Sequence, residues 1–269
     1  MMFYYQLTVQ YSGTNFDGFQ FQPKLITVQS KLNQELTKLV KGKITTRGTS
    51  RTDSGVHAYF QLIKITSEHS LFQNESDKNR FLNSLNQLLF PDILCLTIDT
   101  CSSYFKPNTA AKSKEYRYFF SNHQMVPAQN LQFMANFSRP LDFDKIQLCL
   151  EALVGEHDFC NFSSMGSNVT NTIRTIDYCE LSKINPHLVF QDSDLFQFPK
   201  DVSECYQLKF VAKGFLKQMI RHIVSALWMV GSGKLSVLEF KQLLNSSKRD
   251  QHLWKVAPAN GLFLFKIEF

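Results

Sequence analysis

The sequence predicts an α+β protein of two ferredoxin-like-derived halves, whose antiparallel sheets form a central cleft. In the first half, strand and helix patterns follow the order β, α, β, β, α, β, which is the order of a ferredoxin-like sheet with helices on one face. The second half repeats a similar mixture of strands and helices. We place the halves at residues 1–103 and 104–269, and expect a site in the cleft between them.

The composition is that of a globular protein with a mild basic excess. Hydrophobic residues make up 43% of the chain and charged residues 19%, which excludes a disordered chain. A net charge of +6 permits a polyanionic partner without requiring one. Aromatic residues make up 13%, and such rings either pack in a core or stack on bases.

Cysteine spacing and hydropathy limit the cellular context. None of the 6 cysteines forms a C-x-x-C pair, which argues against a zinc ribbon or a small disulfide scaffold. The N-terminus has neither a signal peptide nor a transit peptide pattern. No apolar run is long enough to span a membrane, so we expect a cytoplasmic protein in a reducing compartment that does not bind membranes.

The elements of the first half follow from hydrophobic period and turn residues. The predicted strands are 3–11, 44–49, 58–66 and 93–100, and the predicted helices are 28–41 and 77–90. Gly42 is expected to end the first helix and Asp77 to cap the second. The aromatic and amide-rich stretch from Phe16 to Gln22 is either a binding lip or a short strand.

In the second half, Asp142 is the expected cap of a helix that ends at Gly155, and Ser236 with Glu239 forms a capping box. An exposed loop is expected at 164–172. The predicted strands are 172–182, 187–191, 204–213 and 261–267, and the most apolar helix is 215–230.

A small polar loop at 48–58 lies between a predicted helix and a predicted strand. It contains Asp53, with Arg51 two residues before it and Gly55 two residues after it. Loops on rigid scaffolds carry much of catalysis, so Asp53 is a candidate nucleophile or base. An Asx turn or helix cap explains the same pattern.

Two further stretches combine charge with apolar surroundings. In residues 105–118, lysines and arginines alternate with aromatic rings, as suits either nucleic-acid binding or the solvated edge of a sheet. In the apolar helix, Arg221 requires a carboxylate or phosphate partner if it is buried.

The cluster Glu156-His157-Asp158 suggests acid–base chemistry or, more simply, local hydrogen bonding after a helix end.

Six motifs between Tyr11 and Phe265 resemble those of the TruA family of tRNA pseudouridine synthases. The most specific is RTDSGVHA at 51–58, which resembles the family's active-site signature. The others are YSG at 11–13 with GFQFQ at 18–22, KEYRY at 114–118, GEHDF at 155–159, MIRHIV at 219–224 and APANGL at 257–262. Their order and spacing make the resemblance specific.

The resemblance implies the pseudouridine synthase fold and an isomerase that detaches uracil, rotates it and reattaches it through carbon 5. It implies that no metal or organic cofactor is needed. Asp53 is implied as the catalytic carboxylate, acting on the anomeric carbon or on the C2′ proton. Tyr116 would stack on the flipped uracil, Arg221 would keep Asp53 ionised, and Arg51 would enter the RNA.

The family's target is uridine in the anticodon stem-loop of tRNA, at positions 38, 39 and 40, and a homodimer is implied. Lys106 and Lys112 are candidate RNA contacts. Two positions depart from the family pattern: Ser50 stands where Gly is usual, and Asn108 where Arg is common. These departures affect the expected RNA binding and site preference more than the expected chemistry.

Other functions remain open from the sequence. A non-catalytic RNA-binding module of the same fold would keep the basic-aromatic surface without needing a catalytic carboxylate. A related synthase would act on another RNA. A glycosidase-like hydrolase would need a second carboxylate, for which Asp158 is the only obvious candidate.

Overall fold

The computed structural model describes residues 1–164, 171–200, 202, 205–246 and 254–269. Their contacts divide the chain into two compact units. Unit 1 comprises Met1–Lys112, Asp194–Phe196 and Phe263–Phe269, and unit 2 comprises Ser113–Ser193 and Gln197–Leu262. A division into domains after residue 103 stays a prediction.

The elements confirm the α+β class. In chain order they are β1 (Phe3–Tyr11), α1 (Val28–Val40), β2 (Ile44–Gly48), β3 (His57–Ser67), α2 (Glu75–Leu89), β4 (Ile93–Thr100), α3 (Pro107–Ala110), β5 (Ser113–Ser121), β6 (Ala135–Asn136), α4 (Phe143–Leu153), β7 (Gly155–Asp158), β8 (Ile173–Ile176), β9 (Tyr178–Ile184), α5 (Pro186–Val189), β10 (Cys205–Ala212), α6 (Met219–Gly231), α7 (Val237–Asn245) and β11 (Leu262–Glu268).

The sheet of unit 1 has the ferredoxin-like order predicted from the sequence. Antiparallel pairing joins β4 to β1, β1 to β3 and β3 to β2. Strand β11 adds a short parallel pairing at the start of β3, where Phe263 lies opposite His57. The chain therefore returns at its end to the strand that follows the Asp53 loop.

One face of this sheet forms the core of unit 1. Leu7 pairs with Ile63 on one side and with Ile98 on the other, and all three are fully buried. Leu32 of α1 and Leu85 of α2 are also fully buried. Because side chains alternate along a strand, the intervening residues lie on the opposite face, where several are only half-buried.

Unit 2 is built around the antiparallel pairs β5–β10 and β10–β9. A short strand, β6, runs parallel to the end of β5, and β7 and β8 form a separate antiparallel pair. Helices α4, α6 and α7 pack against one another. Helix α6 is the most apolar of these, and most of its residues are buried.

Four local predictions were wrong, each through turn or cap chemistry. Lys41 rather than Gly42 takes the left-handed conformation after α1, with φ 53°. Asn74 rather than Asp77 caps α2, accepting a hydrogen bond from the Asp77 N–H. The predicted strand at 187–191 is the short helix α5, because Asn185 caps it and Pro186 suits its first turn.

The start of the apolar helix was the fourth wrong prediction. Helix α6 begins at Met219 rather than at residue 215, because Gln218 has a left-handed φ of 58° that a helix cannot continue through. The predicted caps at Asp142 and at Ser236 with Glu239 are confirmed. Most of the predicted loop at 164–172, and the first residue of the predicted strand at 204–213, lie outside the described residues.

No helix within the described ranges combines the length and the hydropathy needed to cross a membrane.

Candidate active site

Asp53 lies in a short loop between β2 and β3, with its side chain half-buried. The Val56 N–H donates to the Asp53 carbonyl oxygen at 3.1 Å, which closes the loop as a tight turn. Gly55 has a φ of 77°, a conformation that residues with a Cβ rarely adopt. Arg51 and Ser54 on either side of Asp53 are exposed.

The segment between β1 and α1 holds this loop through main-chain hydrogen bonds. The Phe19 N–H donates to the Thr52 carbonyl at 3.0 Å, and the Gly55 N–H donates to the Phe16 carbonyl at 3.2 Å. A buried hydrogen bond of 2.7 Å joins the hydroxyls of Tyr11 and Thr52. Thus the residue before Asp53 is fixed through both its main chain and its side chain. The segment is a loop rather than a second strand.

Two glycines allow this close approach of the two backbones. A Cβ on Gly13 would lie 2.2 Å from the carbonyl oxygen of Val56. A Cβ on Gly18 would lie 2.9 Å from the carbonyl oxygen of Thr52, and Gly18 also has a φ of 98°. Since the blocking atoms are backbone atoms, a larger residue at Gly13 would displace the Asp53 loop.

His57, the histidine of the signature, supports the loop from the sheet. It is fully buried, its Nδ1 accepts a hydrogen bond of 3.0 Å from the Gly13 N–H, and its ring stacks on Phe263 with centroids 4.6 Å apart. A ring nitrogen that accepts a hydrogen bond carries no proton. This role was missed from the sequence, since nothing in it links residue 13 to residue 57.

Ser50 stands where the resembled signature usually has glycine, and it fits without backbone strain. Its φ is not positive, so its Cβ does not meet the left-handed penalty. Its N–H donates to the Gln61 Oε1 at 3.2 Å, and the Gln61 Nε2 donates to the Ser50 carbonyl at 2.7 Å. The buried Gln61 side chain therefore satisfies both main-chain groups of Ser50.

Tyr116 lies on β5 in unit 2 and is 6% exposed. Its ring meets that of Phe215 edge to face, at 5.3 Å and 82°. Tyr118, two residues further along the same face, is fully buried and donates its hydroxyl to the Pro258 carbonyl at 2.9 Å. Burial raises the pKa of Tyr118, against the opposing effect of the nearby Arg221 charge.

Arg221 lies in the first turn of α6 and is half-buried. Its Nε donates to the Ala257 carbonyl at 2.7 Å, and the Ala257 N–H donates back to the Arg221 carbonyl at 3.3 Å. One turn later the Ser225 hydroxyl donates to the Lys255 carbonyl. These bonds join the helix to the APANGL motif, so two motifs distant in sequence form one structural feature.

The basic-aromatic stretch divides into residues with different partners. Lys106 is exposed just before α3. Lys112 is exposed, and its Nζ donates to the Phe269 carbonyl oxygen at 2.8 Å. Arg117 forms an ion pair of 2.6 Å with Glu115, and with only 21% and 12% of their side chains exposed, these are not the solvated edge charges of the alternative. Burial lowers the pKa of Lys114.

In the cluster Glu156-His157-Asp158, the histidine and the aspartate are engaged in local hydrogen bonds. Asp158 accepts from the Cys160 N–H at 3.0 Å and from the Thr172 hydroxyl, and His157 lies 3.3 Å from the Val154 carbonyl oxygen. This agrees with the simpler interpretation of the cluster. Over the described ranges, no three His, Cys, Asp or Glu side chains are grouped so that they could hold a metal ion.

The predicted site residues are thus distributed over both units. Asp53, Arg51, Lys106 and Lys112 belong to unit 1, whereas Tyr116 and Arg221 belong to unit 2.

The chain is similar to known tRNA pseudouridine synthases. Residues 150–269 match the family model described as tRNA pseudouridine synthase. The chain is 32% identical over 265 residues to tRNA pseudouridine synthase A of Lactobacillus helveticus (strain DPC 4571), covering 98% of this chain and 92% of that relative. It is 30% identical to the Lacticaseibacillus casei (strain BL23) protein of the same name, covering 100% of each chain.

Among solved structures, a Cbf5-Nop10-Gar1 complex matches with a TM-score of 0.29 at 13% identity, covering 82% of this chain and 53% of that one. That likeness is too weak to support a conclusion. The sequence relatives define a pseudouridine synthase, an isomerase. The chain belongs to the tRNA pseudouridine synthase A (TruA) family.

Proposed function

We propose that this protein isomerises uridine to pseudouridine in the anticodon stem-loop of tRNA, at positions 38, 39 and 40, with Asp53 as the catalytic carboxylate. The observation that carries the proposal is the fixed loop around Asp53, in which Thr52 and Gly55 are hydrogen-bonded to the segment behind them. The relatives named tRNA pseudouridine synthase A supply the reaction class and the substrate class.

A fixed carboxylate suits this reaction because both available first steps require accurate placement. Asp53 either attacks C1′ of the ribose or removes the C2′ proton, and in both cases the uracil leaves as an anion. A loop held by main-chain hydrogen bonds keeps the carboxylate oriented before the substrate binds, which lowers the entropic part of the barrier.

Tyr116 is proposed as the ring on which the flipped uracil stacks. The edge-to-face contact with Phe215 fixes the plane of the Tyr116 ring, as a stacking platform requires. The stacked uracil would be retained between its detachment and its reattachment through carbon 5. The Tyr116 hydroxyl is a candidate for proton transfer at that carbon.

Arg221 is proposed to pair with Asp53. Its bond to the Ala257 carbonyl uses Nε and fixes the direction of the guanidinium group. A guanidinium placed beside a carboxylate favours the ionised form of the acid, which both first steps need.

The remaining proposals concern the RNA and the assembly. Arg51, exposed beside Asp53, would enter the RNA and occupy the gap left by the flipped base. Lys106 and Lys112 would contact phosphates, with Lys112 exchanging its bond to Phe269 for one to the RNA. We further propose a cytoplasmic homodimer in which one tRNA contacts both subunits, since doubling the net charge favours binding of a polyanion.

The test is tritium release from tRNA labelled at carbon 5 of uridine, because the label is lost when carbon 5 forms the new glycosidic bond. Wild type should release tritium, and Asp53→Asn should release none while still binding tRNA. Glu68→Gln is the matched control, since Glu68 is an exposed carboxylate of the same unit outside the segments that hold the Asp53 loop, and it should react like wild type.

Turnover by Asp53→Asn would remove Asp53 from the mechanism. Binding of tRNA without release by wild type would favour the RNA-binding module, or a synthase that acts on another RNA.

A further inference from the structure

Tyr104 is the most exposed aromatic side chain in the part of the chain that the structure describes, at 89%. It lies between the end of β4 and the start of α3 in unit 1. A ring that projects into solvent contributes little to the core and is accessible to a binding partner.

The loop that carries Tyr104 is held in place from both ends. The Phe105 N–H donates to the Ser102 carbonyl at 3.1 Å, and the Tyr104 N–H donates to the Ser102 hydroxyl at 3.2 Å. The Nζ of Lys64 donates to the carbonyls on either side of Tyr104, those of Ser103 at 2.6 Å and Phe105 at 2.9 Å. The ring is therefore presented on a fixed backbone.

The surface beside this loop carries two like charges on adjacent strands. Arg47 of β2 lies directly opposite Lys64 of β3, an arrangement that is unfavourable for like charges. Continuing across the sheet, Gln6 of β1 lies opposite Lys64, and Asp99 of β4 lies opposite Gln6. Asp99 already forms an ion pair of 2.7 Å with Lys78. This acid therefore does not compensate the charge of Arg47.

Lys106, two residues after Tyr104, adds a further cation. Arg47 and Lys106 are both exposed, and neither forms an ion pair with another residue in the described ranges. The exposed ring and the two exposed cations thus belong to the same unit, and Arg47 lies opposite the lysine that holds the Tyr104 loop.

We propose that Arg47, Tyr104 and Lys106, here called the Tyr104 surface, bind the RNA substrate away from Asp53. The ring stacks on an unpaired base while the two cations hold neighbouring phosphates, the combination used for single-stranded nucleic acid. The proposal rests on the proposed function, which makes RNA the substrate. A second copy of this chain is a poorer occupant, because each copy carries +6 and the surface is itself cationic.

The experiment measures the Kd of a fluorescently labelled tRNA transcript by anisotropy at several salt concentrations. Tyr104→Ala should raise Kd about tenfold, and Tyr104→Leu should do the same because it keeps apolar surface but loses the π face. Tyr104→Phe should stay within about twofold of wild type, since the ring remains. Arg47→Gln should reduce the slope of log Kd against log salt by about one.

Two controls separate local from general effects. Phe90→Ala removes another exposed ring of unit 1, and Arg80→Gln removes an exposed arginine on α2, and neither should change Kd. Binding is read without turnover, so the result stands even if no pseudouridine forms.

An unchanged Kd in both Tyr104→Ala and Tyr104→Leu would overturn the proposal. So would a change in sedimentation of Tyr104→Ala with Kd unaltered, which would identify the surface as a protein interface.

Discussion

The Asp53 loop and the start of α6 are fixed in different ways. Around Asp53, the contacts are mainly between main-chain groups, and Gly13 leaves no room for a Cβ. Around Arg221, most contacts run from side chains to main chain, as in the bonds from Arg221 to the Ala257 carbonyl and from Tyr118 to the Pro258 carbonyl.

This difference predicts different tolerance to substitution. A main-chain contact cannot be relieved by a change of rotamer, so an added methyl group must move the backbone. Hydrogen bonds from side chains can be removed one at a time by substitution. Each neutral hydrogen bond that is removed lowers the free energy of unfolding by about 1 kcal/mol. Small changes should therefore harm the Asp53 loop more than the α6 region.

The largest effect is expected from Gly13→Ala. Its Cβ would lie 2.2 Å from the Val56 carbonyl oxygen and 2.8 Å from the Gly55 carbonyl carbon. The Asp53 loop must shift to relieve these overlaps, and a displacement of about 1 Å costs roughly a hundredfold in turnover. Overpacking should also lower the free energy of unfolding by about 1–3 kcal/mol. Tritium release and urea unfolding measure the two effects.

Gly214→Ala is the matched control, because its Cβ would meet nothing within 4 Å. It should retain the activity and stability of wild type. Normal turnover by Gly13→Ala would show that the loop is not held as rigidly as its contacts imply.

The next largest effect is expected from Arg221→Ala. The variant loses the bond to the Ala257 carbonyl and the proposed partner of Asp53. We expect turnover to fall by about tenfold to a hundredfold and the unfolding free energy by about 2 kcal/mol. Arg221→Lys keeps the charge but not the forked geometry, so it should recover only part of both. Wild-type melting and activity in Arg221→Ala would contradict both the stabilising role of Arg221 and its proposed pairing with Asp53.

A pair of Tyr→Phe variants compares the two regions at the scale of one hydroxyl. Tyr11→Phe removes the partner of the buried Thr52 hydroxyl, and Tyr118→Phe removes the donor to the Pro258 carbonyl. Each should cost about 1 kcal/mol of stability in thermal or urea unfolding. Turnover should fall further in Tyr11→Phe, about tenfold, because Thr52 adjoins Asp53. Equal loss of turnover in both variants would show that the Asp53 loop is no more sensitive to a lost hydroxyl than the α6 region.

The smallest effect concerns acid stability in unit 1. Burial raises the pKa of Glu35, but the hydrogen bonds from Lys38 and Lys31 lower this pKa by more than burial raises it. The net pKa of Glu35 therefore lies below its ordinary value of 4.5. A lowered folded-state pKa stabilises the protein above pH 4.5, and this contribution is lost as the pH falls through the folded-state value.

Unfolding in urea at pH 7 and at pH 3.5 tests this contribution. Wild type should lose about 1 kcal/mol more than Glu35→Gln on acidification. An equal loss in the two proteins would show that Glu35 is not the source of the acid sensitivity.

Much of the fold could be predicted from the sequence because hydrophobic period determines which residues lie in the core. The order of unit 1 and the bounds of β1 and β4 follow from this pattern alone. The errors occurred where a single backbone conformation decides the outcome. Gln218 delays α6, and the Asn185-Pro186 pair begins a helix where β-branched and apolar residues indicated a strand.

The site was predicted less completely, because a motif names the residues of a loop but not those that hold it. Residues 51–58 identify Asp53 as a candidate. The supports come from elsewhere in the chain: Gly13 bonds to His57, Gln61 satisfies Ser50, and Ala257 holds Arg221. Such contacts depend on tertiary packing, for which a single sequence has no local signal.

The most direct test of the central claim is to map pseudouridine by position in a tRNA with uridines at 38, 39 and 40, using wild type and Asp53→Asn with matched tRNA binding. We expect pseudouridine at those positions with wild type and none with Asp53→Asn. Pseudouridine formed by Asp53→Asn, or modification by wild type only outside the anticodon arm, would contradict the proposed function.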